Sequence, residues 1–394
     1  IDKTGTTKII DGLAFVFQNA PESESPAELT FYLPSLNAFC GAELVSRNMH
    51  NLYTLRGAQV RNAQHWSHYI NEALEQFGQA DIYFGSHHWP IWGNEQVRTF
   101  LEKQRDLYQF THDQTVRMIN MGLNANEIAE QIQLPDSLGK YFANRGYYGT
   151  LSHNAKAVYQ FYMGWYDANP ANLNPLPNEQ SASDYVELMG GEDIVLQKSQ
   201  QYFEQGNYRF AAELLNKLIF TDSNSHPARA LLATTYEQLG YQSEAGSWRN
   251  AYLSGAKELR DGPTKQRIEL AKMTNILVNT PIEKFFETLA VRLNSEDADG
   301  VDLKIGIKFS DLNKSYTLGI KNSVLHQLKL SNTEKVNASM TITHQLFINI
   351  LIGQASAKNL IFSDELDVEG SSLDLIHFLS LFEKPTADFN IVSP

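Results

Sequence analysis

The sequence predicts three successive segments of different class: an α/β segment, an array of helices, and an α+β segment. Three observations carry that prediction. Aromatic and branched runs alternate with turns and one helical stretch through about residue 100, no strand-like run occurs between Glu95 and about Leu259, and strict apolar alternation returns after residue 300. With 394 residues the chain is too long for one ordinary core and suits two to four domains.

The first segment opens with strand-like runs at Leu13–Phe17, Leu29–Leu33 and Ala38–Cys40. Between the first two, Asn19–Glu28 reads as a loop by its prolines and polar content. A helical period then runs from Arg56 to Phe77 through Val60, Trp66, Tyr69, Ile70, Ala73 and Leu74. The strand Asp81–Phe84 follows, and then a turn, Gly85–Pro90, that carries His87 and His88. Folds of this order place their chemistry on the loops after strands.

The helical segment starts with a long amphipathic run from Phe100 to Ile119 and a shorter one, Asn126–Leu134, stopped by Pro135. The region Gly146–Asn174, rich in Tyr, Trp and Asn, is less regular. Tyr202, Gly206 and Ala211 recur as Tyr236, Gly240 and Ala245, 34 residues on, which is the tetratricopeptide period, and Pro227 falls where such a repeat ends its second helix. Two such repeats need neighbours or a second copy of the chain to pack on.

A turn-rich boundary, Arg260–Thr264, precedes the third segment. There a helix is expected over Ile282–Leu293, strands at Val301–Phe309, Tyr316–Ile320 and Met340–Ile342, and helices at Leu346–Ile352 and Leu373–Phe382. It holds no clustered His, Cys or catalytic-looking carboxylates, so it reads as a binding or packing module. The expected domains are thus 1–100, 101–262 and 270–394.

Charge and composition exclude several classes. A net charge of −13 and a pI near 5.3 argue against nucleic acid or an anionic membrane surface as the main partner. No run of about 18 apolar residues is present, so no transmembrane span is expected. The single cysteine, Cys40, excludes an intrachain disulfide and a cysteine-based zinc cluster, and leaves the compartment open. The start at Ile1, without methionine, basic region or apolar leader, reads as a processed product or a piece of something longer.

The chemistry is expected between Glu43 and His88. Glu24, Glu43 and His88 are carboxylate and imidazole groups on loops after strands, the donor types of hydrolytic zinc sites. Glu24 shares its loop with Glu22 and Glu28, so a solvated acidic face is the alternative. Arg56 and Arg61 near a helix start could grip an oxyanion through their planar forks, or make surface ion pairs.

These residues resemble those of the zinc alkylsulfatases of the metallo-β-lactamase fold. The resemblance is carried by Glu24–Glu28, Ala42–Glu43, His50–Arg61, Ser86–Gly93, Arg145–Asn154 and Tyr162–Tyr166, and it extends over nearly the whole chain. It implies a partial metallo-β-lactamase (αββα) domain, a helical TPR-like dimerisation domain and an SCP2-like C-terminal domain that gathers the alkyl tail. It implies hydrolysis of alkyl sulfates such as dodecyl sulfate to alcohol and sulfate by a metal-activated hydroxide at two zinc ions, in a homodimer that is periplasmic or secreted rather than cytoplasmic. Glu24 would bind one zinc, Glu43 would bridge, and His88 would bind the other. Asn51, Leu52, Tyr53, Thr54, Leu55, Arg56 and Arg61 would line the sulfate site. Tyr148 and His153 would contact the sulfate or protonate the leaving alkoxide. The family's H-x-H-x-D-H motif is absent, since none of the eleven histidines stands in H-x-H spacing. With those four ligands missing, the chain is expected to be a C-terminal portion with weak or no activity alone. A dimeric apolar-ligand carrier with a degenerate metal site is the alternative, and a hydrolase of phosphate or acyl substrates a third reading.

Overall fold

The computed structural model describes residues 1–263, 274–328, 335–355, 366–383 and 389–394. Two compact units result: Ile1–Gly262 with Asn390–Pro394, and Pro263–Phe389.

The first unit begins with a six-stranded sheet in sequential order: β1 (Thr6–Ile10), β2 (Leu13–Asn19), β3 (Leu29–Leu33), β4 (Ala38–Cys40), β5 (Ile82–Phe84) and β6 (Ile91–Trp92). Every neighbouring pair is antiparallel except β4 and β5, which are parallel. A parallel pair needs a crossover, and helix α1 (Ala63–Phe77) provides it. Trp66, Ile70, Ala73, Leu74 and Phe77 recur on the buried stripe of α1. Phe77 stacks on Tyr32 and Phe39 at 5.4 and 5.3 Å. Side chains alternate across a strand, so Phe31 faces the other way, with Phe15, Phe17 and Phe84 around it at 5.2 to 6.1 Å.

Two strands and one helix boundary differ from the sequence reading. The largely exposed β1 and the two-residue β6 carry too little apolar pattern to be read. The helix starts at Ala63 rather than Arg56, because Asn62 in extended backbone caps it, its side chain accepting from the amides of Gln64 and His65. Val60 therefore belongs to the preceding loop.

Helices follow: α2 (Asn94–Ile119), α3 (Ala125–Gln131), α4 (Asp136–Gly139) and α5 (Leu151–Met163). The boundary expected at 100/101 falls inside α2. Val97, Phe100, Leu101 and Tyr108 of that helix share one core with Phe39, Trp66 and Ile70, and with Ala157 and Val158 of α5. The stretch read as irregular thus contains a helix, α5, whose start is capped by Thr150.

Next come α6 (Asn178–Leu188), α7 (Glu192–Glu204), α8 (Tyr208–Thr221), α9 (His226–Gln242) and α10 (Gly246–Asp261). Gly206 turns the chain between α7 and α8 with φ +77°, which a side chain would strain. Its counterpart Gly240 lies within α9, and Ala245 is the N-cap of α10. Pro227 stands in the first turn of α9, so it begins a helix instead of ending one.

The second unit has a five-stranded sheet in the order β11-β10-β7-β8-β9: β7 (Leu303–Phe309), β8 (Lys314–Lys321), β9 (Val324–Leu328), β10 (Ala338–Ile342) and β11 (Asp367–Gly370). Along β7, Leu303, Ile305, Ile307 and Phe309 are buried in strict alternation. Helices α11 (Thr274–Val278), α12 (Ile282–Ala290), α13 (His344–Leu351) and α14 (Ser372–Ser380) complete it, with Phe285, Phe286, Phe347, Leu375 and Phe378 on that apolar face. Thr264 of the expected boundary, and residues 270–273 at the start of the expected third domain, lie outside the described residues.

Candidate metal and anion site

Just beyond β4 the chain turns sharply at Ala42, whose φ is +45°. Two contacts set this turn. The Gly41 amide donates to the Phe84 carbonyl at 2.9 Å, and Oε1 of buried Glu28 accepts from the amides of Glu43 and Leu44 at 3.1 and 3.2 Å. Burial pushes the Glu28 carboxyl up, against the lowering effect of those amides. The Glu43 side chain is left half-exposed on the turn.

Glu24 lies on the loop between β2 and β3 and is paired with the Arg61 guanidinium. Arg61 also donates from Nε to the Glu24 carbonyl at 2.6 Å, and from Nη1 to the carbonyl and Oδ1 of Asn51 at 2.9 and 2.7 Å. A guanidinium so committed is an internal brace between two loops, not a free grip for sulfate. Asn51 and Leu52 are structural too: Asn51 is Arg61's acceptor, and Leu52 is core, its carbonyl accepting from the Arg61 amide at 2.9 Å.

His50 sits beside these carboxylates. Its amide donates to the Tyr108 hydroxyl at 3.0 Å, and its Nδ1 lies 3.0 Å from the Asn51 carbonyl. A carbonyl only accepts, so Nδ1 carries the proton and Nε2 keeps its lone pair, 3.9 Å from Glu43 Oε2. Burial, with Arg61 and His87 nearby, drives the imidazole down to about 4. It is therefore neutral near pH 7, and its contact with Glu43 is not an ion pair. One ligand atom each from Glu24, Glu43 and His50 lie within 4.8 Å of one another. The Tyr148 ring meets His50 edge-on at 4.9 Å.

The structure thus joins Glu24 and Glu43 with His50 rather than His88. His87, the neighbour, is also exposed, with its Nε2 2.9 Å from Glu43 Oε1. His88 is exposed with φ +70° and is not among the three converging donors. The sequence reading named His50 in its central stretch without assigning it to a metal.

Of the remaining residues expected at the sulfate site, Thr54 is buried with its hydroxyl lacking a partner among the described residues. Tyr53 is half-buried, while Leu55 and Arg56 are exposed on the same loop. His153 is engaged at both ring nitrogens: Nδ1 accepts from Trp248 Nε1 at 2.9 Å and Nε2 donates to the Tyr53 carbonyl at 2.6 Å. That geometry makes it a fixed brace with no proton free for a leaving group, and burial lowers its pKa further.

A seam that the sequence did not reveal holds this loop. The Asn154 side chain accepts from the Leu52 amide and donates to the His50 carbonyl, both at 2.9 Å. The amides of Met49 and Gly149 donate to Arg145 and Met49 carbonyls at 3.0 and 2.8 Å. A Cβ at Gly149 would lie 2.6 Å from the His50 carbonyl oxygen and 2.8 Å from the Asn51 nitrogen, so only glycine allows this approach.

Comparisons with known proteins bear on this arrangement. Family profiles described as alkyl sulfatase dimerisation and alkyl sulfatase C-terminal match residues 124–262 and 271–394. A linear primary-alkylsulfatase from a Pseudomonas strain is 33% identical over 97% of this chain and 73% of its own length. The chain belongs to the alkylsulfatase family. The alkyl/aryl-sulfatase BDS1 of Saccharomyces cerevisiae is 43% identical, and a linear primary-alkylsulfatase of Pseudomonas sp 40%, each over the whole of this chain. The chain spans 61% and 59% of those two relatives. The structure of the inverting sec-alkylsulfatase Pisa1 from Pseudomonas superposes on all of this alkylsulfatase chain with a TM-score of 0.94 and 37% identity, covering 62% of Pisa1.

Proposed function

We propose that this chain is part of a zinc-dependent alkylsulfatase that cleaves alkyl sulfates to alcohol and sulfate, and that Glu24, Glu43 and His50 are the ligands it contributes. The convergence of two carboxylates and one neutral imidazole within 4.8 Å carries this reading. That donor set fits zinc, because hydrolytic zinc sites combine imidazole and carboxylate around an open position. The lone pair on His50 Nε2 is available without deprotonation near pH 7. These three suit one ion, and the second zinc implied by the resemblance needs ligands beyond them. Bound zinc would supply Lewis acidity and bring a water's pKa toward 7.

The chain's own residues then hold and orient. Arg61 fixes Glu24, Glu28 fixes the backbone of Glu43, and the Asn51 carbonyl sets the His50 tautomer. Arg56, exposed on the loop that follows His50, would bind sulfate oxygens, and Thr54 is buried on that same loop. Tyr148, whose ring meets His50 edge-on, would hydrogen-bond the leaving oxygen.

The helical part would join two copies. Support comes from large apolar side chains left exposed there, Trp165 at 71% and Leu188 at 83% among them. The hairpins α7–α8 and α9–α10, matching at a 34-residue offset, are read as tetratricopeptide-type repeats. For the first unit an αββα layer is proposed from the sheet backed by α1, and for the second an SCP2-like module from its helix-covered sheet.

Adding the segment that carries the H-x-H-x-D-H motif should give stoichiometric zinc by elemental analysis and sulfate release from dodecyl sulfate, both reduced by Glu43→Gln. A completed protein with neither zinc nor sulfate release overturns the proposal.

A further inference from the structure

In the C-terminal half of α2, His112 lies between a carboxylate and a phenol. Its Nδ1 is 2.7 Å from Asp113 Oδ1, and its Nε2 is 2.8 Å from the hydroxyl of Tyr162, in the last turn of α5. The helical period explains the placement. His112 follows Tyr108 by four residues on the buried stripe of α2, while Asp113, one residue on, is half-exposed. Gln109 Nε2 donates to the same Asp113 Oδ1 at 2.8 Å and fixes the carboxylate from one turn away. None of these residues belongs to the converging group of Glu24, Glu43 and His50.

A carboxylate only accepts, so Nδ1 carries the proton of the neutral imidazole and Nε2 accepts from the Tyr162 hydroxyl. Carboxylate, imidazole and hydroxyl in that order form a relay in which histidine takes the proton of a nucleophile as it attacks, here with a phenol in place of a serine hydroxyl. The base is buried and the nucleophile is within reach of solvent, since Tyr162 is 48% exposed.

We infer that Tyr162 is a nucleophile that takes an acyl group from an activated ester. Its Oη attacks the carbonyl carbon, and the phenol proton passes to His112 Nε2, forming an imidazolium that Asp113 stabilises. The bond from the carbonyl carbon to the leaving oxygen then breaks with its electron pair, and His112 gives the proton to that oxygen. The products are an acyl ester on Tyr162 and a free alcohol or phenol.

The test treats the full chain, with chelator present, with 4-nitrophenyl acetate and follows each tyrosine by peptide mass mapping. Tyr241, more exposed at 66% and hydrogen-bonded to no imidazole among the described residues, is the internal reference. Tyr162 should gain its acetyl group at least about tenfold faster than Tyr241, the scale of general-base assistance. His112→Phe, which keeps a buried ring, should remove that advantage and leave Tyr241 unchanged. Asp113→Asn, at the half-exposed position, lets the side-chain amide donate to Nδ1 and turns the tautomer, so Nε2 no longer accepts from Tyr162. It should slow Tyr162 at least about fivefold with circular dichroism unchanged. Unfolding would level the two tyrosines by raising both rates, whereas loss of the base slows Tyr162 alone. A rate at Tyr162 no higher than at Tyr241, or one that either substitution leaves unchanged, overturns the inference. Neither result depends on zinc uptake or sulfate release.

Discussion

Asn154→Ala removes one amide that completes two backbone groups at once. Asn154 is 1% exposed, and its two 2.9 Å bonds go to the Leu52 N–H and the His50 carbonyl. Alanine leaves both groups buried without a partner, and each unsatisfied group costs about 1–3 kcal/mol. The expected destabilisation is about 2–6 kcal/mol, a large share of the roughly 5–15 kcal/mol that holds a typical domain together. Urea denaturation followed by tryptophan fluorescence is the assay. All five tryptophans, at positions 66, 89, 92, 165 and 248, lie in the first unit, so the signal reports on that unit alone. The midpoint should fall with little change in slope. Amide exchange at Leu52 should accelerate with it. A loss below about 0.5 kcal/mol with Leu52 still protected would refute the reasoning, since surface substitutions of no structural weight fall in that range.

Two further outcomes follow from the site. His50 has a folded pKa near 4 against an ordinary 6.5, so the unfolded state takes up its proton first as pH falls. Its contribution is complete above pH 6.5 and declines toward pH 4 by about 3 kcal/mol, at about 1.4 kcal/mol per unit. His50→Gln should flatten that part of the stability-pH curve, and an imidazole that titrates near 6.5 by NMR would contradict it. Arg61→Ala and Arg56→Ala should differ in kind. The first leaves the partly buried Glu24 unpaired and should cost up to about 3 kcal/mol by denaturation. The second should change stability by less than about 0.5 kcal/mol while raising KM for dodecyl sulfate in the completed enzyme.

Much of the first sheet was legible because β2, β3 and β4 are runs of Phe, Tyr, Val and Leu between loops with obvious turn residues. Two of the three converging donors, Glu24 and Glu43, could be named from the resemblance and from the types of group zinc takes. His50 could not be assigned, because its lone pair and its low pKa depend on an adjacent carbonyl and on burial beneath Trp66 and Tyr148. The partners of Arg61 and His153 were illegible for a related reason. Each is a chemically active type whose hydrogen-bond capacity is taken up by partners far along the chain, 37 residues away for Glu24 and 100 for Tyr53. Helix α5 was hidden by a composition of Tyr, Asn and His, which favours no period until Thr150 caps it and the core orders one face.

The seam between residues 49–52 and 145–154 has a consequence for how such proteins can be recombined. The family's helical module begins at residue 124, yet Gly149 and Asn154 within it shape the backbone that presents His50. A chimera spliced at 123/124 would inherit a metal ligand from one parent and its scaffold from another. Exchange at that junction should succeed only between parents that share a glycine and an asparagine at these two places. Cutting after residue 262 carries a condition of its own, because Asn390–Pro394 returns to the first unit, where the amides of Ile391 and Val392 donate to Glu258 Oε1 at 2.7 and 2.9 Å.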